Sequence, residues 1–324
     1  MRFSVIIPLY NKAPYVRKAL DSVLSQSFVD FEIIVVDDGS SDNSYDVAKE
    51  RLSDSHVEYK LIRQNNAGVS TARNNGVAAS KGDYLCFLDA DDWWAPTYLE
   101  RMDSFVREYP EAGIYGTNYY YVKNGRSQVC VTTAETGYIN YCRVYAEKLQ
   151  MPLWTGAVCV PRHVFDEMGG FRAHLRLGED FDLWIKIALK YKVAFFNEPL
   201  SYYFQDSDAT WRLVGKLHDP KVHMLWNLQY LEDVEKSNFD YKLLIDNLRT
   251  YSLFPYYLSD EYRNAARKEL EKVDWSRQPY KVVVLYRIPV RLLQIRRSVL
   301  VCGAFIKKRI IFLFQSFSKC ALFK

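Results

Sequence analysis

Short apolar runs alternate with segments of helical periodicity over the first part of the chain. The runs over 3–7 and 31–36 are largely apolar, as buried parallel strands require, and 57–63 and 84–88 are predicted as two further strands. Between them, apolar residues recur every three or four positions, which predicts helices over 15–25, 44–51 and 69–80. This alternation predicts an α/β fold, with a mostly parallel sheet, helices on both faces and ligands at the carboxyl ends of the strands.

The second half of the chain has a different pattern. We predict a helix over 97–109 and a mixture of strands and loops over 113–160. A further amphipathic helix over 178–191 begins with acidic residues, which the N-terminal end of a helix favours electrostatically. From about residue 215 the pattern becomes mainly helical, so we predict a mostly helical C-terminal extension.

The distribution of charged residues distinguishes the regions of the chain more clearly than the overall composition does. Hydrophobic residues make up 49% of the 324 residues, which is enough for a large core, and the formal net charge is +4. Ten Lys and Arg side chains, and no Asp or Glu, lie in 281–324. We therefore predict three regions: an α/β domain over 1–214, a helical extension over 215–280, and a basic amphipathic tail over 281–324.

The tail alternates apolar and basic clusters, which is typical of a helix that lies in the headgroup plane of a membrane. This pattern predicts an anchor on a membrane surface, although packing on the α/β domain or on a second subunit would also fit it. The tail is too apolar for a solvated arm that binds nucleic acid. Its longest late apolar run, 299–306, falls short of the roughly 18 residues needed to span a bilayer.

Two further features favour a cytoplasmic location, with the protein peripheral on the inner face of the cell membrane. The chain enters a strand-like run at Phe3 rather than a signal peptide. Its six Cys residues form no Cys-x-x-Cys pair, which argues against a structural zinc site and suits a reducing compartment.

Three carboxylates, Asp89, Asp91 and Asp92, directly follow the fourth predicted strand. Like charges this close repel one another and resist burial. A divalent cation would remove the conflict, and oxygen ligands suit Mn²⁺ or Mg²⁺, which could then bridge a diphosphate. A lone motif of this length is more often a solvated acidic turn, so its interpretation depends on the rest of the chain.

Other motifs surround the acidic turn in a fixed order. They lie at Val5–Asn11, Ile33–Asp42, Asn66–Asn74, Gly169–Phe171 and Gly178–Trp184. Over about residues 3–205, this ordered set resembles family 2 of the glycosyltransferases, which have the GT-A fold, and in particular bacterial transferases of polysaccharides and the cell envelope. The resemblance implies a metal-dependent enzyme that uses a nucleotide-activated sugar, with UDP the commonest nucleotide.

The resemblance also implies roles for individual residues. Those expected to contact the nucleotide sugar are Pro8, Tyr10, Asp37, Arg73, Asp89 and Ala90. Asp91 would bind the metal ion, and Asp180 would be the general base, with Glu179 as a rival that the sequence does not separate from it. Taken singly, each residue also has a structural interpretation: an Asx turn at Asp37, a surface helix position at Arg73, or plain N-terminal helix acids at 179–180.

The implied reaction is a single displacement that inverts the anomeric carbon, with a hydroxyl of a saccharide or glycolipid as acceptor in surface polysaccharide synthesis. The chain has no Gln-x-x-Arg-Trp motif of the processive synthases, which favours one sugar per encounter. Two alternatives remain at this stage: transfer of a sugar to a polyprenyl phosphate, and a catalytically inactive scaffold on the membrane that binds sugar nucleotides.

Overall fold

The computed structural model describes residues 1–206 and 217–294. The chain forms two compact units, one over Met1–Ile245 and one that begins at Asp246. The predicted boundary at 214 and the part of the predicted tail from 295 onward lie outside the described residues. In the described part of the chain, no helix is both long and apolar enough to cross a bilayer.

Every strand in the described part of the chain lies in the first unit. In chain order they are β1 (Phe3–Leu9), β2 (Phe31–Asp37), β3 (Tyr59–Arg63), β4 (Tyr84–Phe87), β5 (Trp93–Trp94), β6 (Ala112–Lys123), β7 (Arg126–Val129), β8 (Gly137–Ile139), β9 (Val158–Pro161) and β10 (Lys192–Phe204). They form one sheet in the order β3-β2-β1-β4-β9-β6-β10-β5, with β7 beside β6 and β8 beside β10.

Helices connect the strands and make up most of the described C-terminal region. They are α1 (Ala13–Leu24), α2 (Ser44–Ser53), α3 (Val69–Ala79), α4 (Tyr98–Glu108), α5 (Tyr141–Lys148), α6 (Arg162–Glu167), α7 (Glu179–Lys190), α8 (Glu232–Ser237), α9 (Phe239–Ser252), α10 (Phe254–Tyr257), α11 (Arg263–Leu270) and α12 (Tyr280–Arg287). Short 3-10 turns lie at Thr155–Ala157, Pro220–Val222, Met224–Trp226, Gln229–Leu231 and Trp275–Arg277.

The sheet is mixed but mostly parallel in its N-terminal half. Strands β3, β2, β1 and β4 run parallel, and β10 runs parallel to β6. Strand β9 is antiparallel to both β4 and β6, and the two-residue β5 is antiparallel to β10. The predicted fold class, a mixed and mostly parallel sheet flanked by helices with a helical C-terminal region, is confirmed.

The central strands are largely apolar because helices cover both faces of the sheet. Val5, Ile7 and Leu9 face a core shared with α1 and α4, whereas Ile6 faces α3. Helix α3 approaches very closely: a Cβ atom on Gly76 would lie 2.5 Å from Ile6 Cγ2. This contact brings the side chains of α3 to the carboxyl ends of β1 and β4.

The predicted strands and helices of the first 110 residues agree with the structure to within two residues at each end. The segment 113–160, predicted as strands and loops, also contains helix α5. Asn140 caps this helix by accepting the backbone N–H of Arg143 at 3.1 Å, a local hydrogen bond that the short apolar pattern did not indicate.

A buried carboxylate ties the strands together at their amino ends, away from the polar turns. Glu32 is fully buried, and its Oε1 accepts the Ser4 hydroxyl at 2.7 Å and the backbone N–H groups of Lys81 and Gly82 at 2.6 and 3.2 Å. One side chain of β2 therefore fixes β1 and the loop that leads into β4.

We predict that Glu32→Ala lowers the free energy of unfolding by about 2–4 kcal/mol, because buried donors lose a charged acceptor. Urea unfolding measures the change. Glu58→Ala is the matched control, since Glu58 pairs with Lys81 Nζ at 2.6 Å on the surface and should leave the midpoint unchanged. Equal midpoints for the two variants would contradict the role given to Glu32.

Candidate active site

The three carboxylates after β4 lie in one tight turn, in which the Asp92 N–H donates to the Asp89 carbonyl at 3.0 Å. Asp89 and Asp91 are partly exposed, whereas Asp92 is buried. Each carboxylate is compensated differently, by Arg73, by Lys12 and by a backbone N–H group. The turn is therefore a structured part of the carboxyl edge of the sheet rather than a solvated acidic loop.

Arg73 of α3 is the buried cation of this edge, with 3% of its surface exposed. Its guanidinium donates to Asp89 Oδ1 at 2.8 Å and to Glu179 Oε1 at 3.0 Å, and it lies over the Phe171 ring at 5.3 Å. Burial by itself would lower the pKa of Arg73, but Asp89 and Glu179 raise it, so the guanidinium stays charged. Arg73 thus joins the acidic turn to the start of α7.

Lys12 compensates Asp91, a contact that the sequence analysis missed. Its ammonium Nζ lies 2.6 Å from Asp91 Oδ2, and about one sixth of each side chain is exposed, 16% in both cases. Lys12 directly follows the Tyr10-Asn11 pair of the first motif, and this position was the available signal.

Asp92 is the third member of the turn and was not assigned a role from the sequence. Its Oδ1 accepts the Phe204 N–H at 2.7 Å, which fixes the turn to the end of β10, and its Oδ2 has no hydrogen-bond partner among the described residues. Burial, followed by the nearby charges of Asp91 and Asp89, raises the pKa of Asp92 well above its ordinary value. The structure thus favours a protonated Asp92.

Asp37 and Asp38 end β2 and have distinct environments. Asp37 is fully buried; its Oδ1 accepts the Ser40 N–H at 3.2 Å and its Oδ2 lies 3.1 Å from Arg63 Nε. The Asp38 carboxylate accepts the backbone N–H groups of Ala67 and Gly68 at 2.8 and 2.9 Å. Asp38 therefore holds the loop that leads into α3, while Asp37 remains the candidate for the nucleotide.

The turn after β1 is tied to the turn after β2. Asn11 has a left-handed backbone with φ of 50°, its N–H donates to Ser40 Oγ at 3.1 Å, and its Oδ1 accepts the Ser41 N–H at 2.9 Å. Pro8 and Tyr10 lie partly exposed beside this junction. Ala90, by contrast, is buried, so only its backbone is available to a ligand.

Glu179 and Asp180 begin α7 after a turn that only glycine fits. Gly178 has φ of 77°, and a Cβ atom there would lie 2.4 Å from Met224 Cγ. The Asp180 Oδ2 accepts the hydroxyl of the buried Thr155 at 2.8 Å. Burial, followed by the charge of Asp180, raises the pKa of Glu179 to about 7, and Arg73 offsets only part of this rise.

Asp182, one turn further along α7, anchors the start of that helix. It is fully buried and accepts the Arg172 guanidinium, the Tyr230 hydroxyl at 2.7 Å and the Lys186 ammonium at 3.1 Å. Asp182 lies within the Gly178–Trp184 motif, but no role was assigned to it from the sequence. Its network fixes the orientation in which α7 presents Glu179 and Asp180.

The contacts join the predicted residues into one region. Lys12 connects the first turn to Asp91, Asn11 connects it to the second turn, Asp38 connects that turn to α3, and Arg73 connects α3 to Asp89 and α7. The polar ends of the strands therefore meet at one edge of the sheet, as their positions in the sequence predicted.

The residues of the acidic turn suit a cation that the substrate helps to hold. In residues 1–206 and 217–294, no group of three or more His, Cys, Asp or Glu side chains is arranged to hold a metal ion alone. Mg²⁺ typically takes one or two carboxylates, keeps several waters and binds substrate phosphates. The accessible carboxylate of Asp91 fits this incomplete type of site.

Comparison with known proteins identifies the family. The family described as Glycosyl transferase family 2 matches residues 4–178, more than half of the chain. The glycosyltransferase GlyA of Streptococcus pneumoniae serotype 4 is 42% identical over 119 residues, which are 37% of this chain and 17% of GlyA. An uncharacterised glycosyltransferase of Rickettsia felis is 29% identical over 230 residues, 69% of this chain and 37% of the relative.

The chain thus aligns with well under half the length of either curated relative. Among solved structures, residues 1–349 of S. aureus TarS in complex with UDP-GlcNAc match with a TM-score of 0.70 at 20% identity. The match covers 88% of this chain and 84% of that structure, and at this identity it shows the fold. The family match over residues 4–178 shows that the chain belongs to glycosyl transferase family 2.

Proposed function

We propose that this protein transfers a sugar from a nucleotide-diphospho-sugar to a hydroxyl of a saccharide or glycolipid acceptor, with inversion, in surface polysaccharide synthesis. The observation that carries the proposal is the bridge that Arg73 makes between Asp89 of the acidic turn and Glu179 at the start of α7. It places Asp91, which follows Asp89 in the same turn and pairs with Lys12, in one site with the candidate bases Glu179 and Asp180. S. aureus TarS, which shares the fold, binds UDP and UDP-GlcNAc, and this supports a UDP-sugar as donor.

The donor side of the site lies at the turns after β1 and β2. We assign Pro8 and Tyr10 to the flanks of the nucleotide base, and Asp37 to the base or ribose, because its buried carboxylate lies at the end of β2. Asp89 is partly exposed and can accept a ribose hydroxyl beside Arg73. Arg73 then stabilises the bound nucleotide mainly by holding Asp89 in place. The backbone of Ala90 forms the bottom of the proposed nucleotide site.

Asp91 is the proposed ligand for Mn²⁺ or Mg²⁺. When bound, such a cation would neutralise charge on the departing diphosphate. The role of the chain is to present one accessible carboxylate from a turn that the Asp92 hydrogen bond to Phe204 holds rigid. Since no described cluster binds a metal alone, we expect the metal to bind together with the nucleotide.

We assign the general base to Asp180. Its carboxylate would take the proton from the acceptor hydroxyl while that oxygen bonds to the anomeric carbon. The bond from this carbon to the diphosphate breaks on the opposite face, so the configuration inverts and the nucleoside diphosphate leaves. Glu179 fits the base role less well because its carboxylate already accepts Arg73.

The basic tail over 281–324 supports a further proposal, peripheral association with the inner face of the cell membrane. The alternation of basic and apolar residues carries this proposal, and the exposed Leu292 in its described part is consistent with it. We predict that the full chain co-sediments with anionic liposomes but only weakly with zwitterionic ones, and that deletion of 281–324 removes the difference. Equal sedimentation of both proteins would contradict the anchor.

The two rival bases are separated by matched isosteric variants. We predict that Asp180→Asn lowers kcat by about 10²–10⁴-fold because the proton acceptor is lost, while UDP still binds. Glu179→Gln should cost much less, since its amide oxygen can still accept Arg73. The measurement is UDP release from a panel of UDP-sugars with Mn²⁺ and saccharide acceptors. If Glu179→Gln were the more damaged variant, Glu179 would be the base.

The raised pKa of Glu179 gives an independent prediction about stability. Its pKa is about 7 in the folded protein against 4.5 for an ordinary glutamate, so between these pH values the unfolded chain releases a proton that the folded protein keeps. The free energy of unfolding therefore falls as the pH rises through this window, and the effect is complete above pH 7. Glu179→Gln lacks this titration and should gain stability relative to the wild type from pH 4.5 to 7, by at most about 3 kcal/mol.

Thermal unfolding of the wild type and Glu179→Gln at a series of pH values measures this difference, because groups that titrate in both proteins cancel. A stability difference that stays constant across the window would show that the pKa of Glu179 is not raised in the folded protein, and would contradict the prediction.

A further inference from the structure

The ion pair between Lys12 and Asp91 occupies the position where the proposed function needs a divalent cation. The ammonium lies 2.6 Å from Asp91 Oδ2, within a normal charge-assisted hydrogen bond, and both side chains are largely buried. A metal ion that binds this oxygen must displace the ammonium, since two cations at one carboxylate oxygen repel each other strongly. The Lys12 ammonium therefore competes with a metal ion for the Asp91 carboxylate.

The backbone of Lys12 is fixed, so the competition involves its side chain alone. Its N–H donates to Ser44 Oγ at 2.7 Å, and its carbonyl accepts the N–H groups of Tyr15 and Val16 at 2.9 and 3.0 Å where α1 begins. In the same position the Nζ also lies 5.8 Å from the centre of the Tyr15 ring, whose face attracts an ammonium group. Rotation of the four-carbon side chain is enough to release Asp91.

The two cations of the site differ in how firmly they are held. Arg73 is buried and bridges two carboxylates, Asp89 and Glu179, so its removal would leave both uncompensated. In residues 1–206 and 217–294, the ion pair of Lys12 is with Asp91, and the Lys12 side chain is more exposed, at 16% against 4% for Arg73. Of these two cations, Lys12 is the one that a ligand can displace at modest cost.

We propose that Lys12 is a displaceable counterion of Asp91, which takes the place of the divalent cation in the donor-free protein and moves to the phosphate oxygens of the nucleotide when metal and nucleotide bind together. This inference rests on the proposed function. It makes the two ligands cooperative: metal alone binds weakly because the ammonium competes, and the nucleotide strengthens metal binding because it accepts the released ammonium. By linkage, metal strengthens nucleotide binding by the same factor.

The test is the affinity of the full chain for Mn²⁺, measured by electron paramagnetic resonance of the free ion, with and without UDP. Without UDP, Lys12→Gln should bind Mn²⁺ about tenfold more tightly than the wild type, because the competing charge is gone. The strengthening of Mn²⁺ binding by UDP should shrink by a similar factor, because no ammonium remains to move to the phosphates.

Lys18→Gln is the matched control. It removes the same charge from α1, the helix that begins directly after Lys12, but the Lys18 ammonium lies over the Trp93 ring rather than at Asp91. We expect its Mn²⁺ affinity to stay within about twofold of the wild type, since a more distant exposed charge is screened. Lys12→Arg keeps the cation and should also bind Mn²⁺ weakly without UDP.

The outcomes separate this inference from the function on which it rests. If the wild type binds Mn²⁺ in the presence of UDP, but Lys12→Gln matches Lys18→Gln without UDP, the counterion role is wrong and the proposed metal site stands. Tight binding by Lys12→Arg would also overturn the role, because charge would then not be the cause. If the wild type binds no Mn²⁺ even with UDP, the metal requirement of the proposed function fails as well.

Discussion

The pairing of the Arg73 guanidinium with Asp89 and Glu179 is the interaction on which the site depends. Carboxylates gathered at a poorly solvated sheet edge repel one another, and a buried cation that bridges two of them removes much of that cost. Two glycines position the Arg73 guanidinium and its partners. Gly76 lets α3 approach β1 closely, and Gly178 lets α7 begin at a point from which Glu179 reaches the guanidinium. The ion pairs at the edge of the sheet therefore depend on how closely the helices pack.

The three carboxylates of the acidic turn have different surroundings and therefore different proposed functions. Asp89 is held by the buried Arg73, Asp91 by Lys12, which we propose is displaceable, and Asp92 by a backbone N–H, while burial and the neighbouring carboxylates favour the neutral form of Asp92. A carboxylate held by a weakly restrained partner is the one best suited to exchange that partner for a metal ion. Three aspartates that are chemically identical in the sequence therefore differ in function, because they differ in burial and in the group that each one contacts.

Much of the fold could be predicted from the sequence because the central strands β1, β2 and β4 are covered on both faces and are therefore largely apolar. The convergence of the polar turns followed from the same pattern, since parallel strands end at one edge. Partner choice could not be predicted: spacing places Lys12 and Asp182 near the edge but does not tell which carboxylate or cation each one meets. Helix α5 was missed because a local cap at Asn140, rather than apolar periodicity, marks its start.

We propose that this edge of the sheet holds a metal–nucleotide complex through Asp91 while Arg73 joins the acidic turn to α7. Anomalous diffraction at the manganese edge, from crystals grown with Mn²⁺ and UDP, locates the metal ion. We expect one anomalous peak in contact with the Asp91 carboxylate and the diphosphate, with Arg73 still bridging Asp89 and Glu179. A bound UDP whose diphosphate lies away from Asp91, or a manganese peak elsewhere in the molecule, would contradict it.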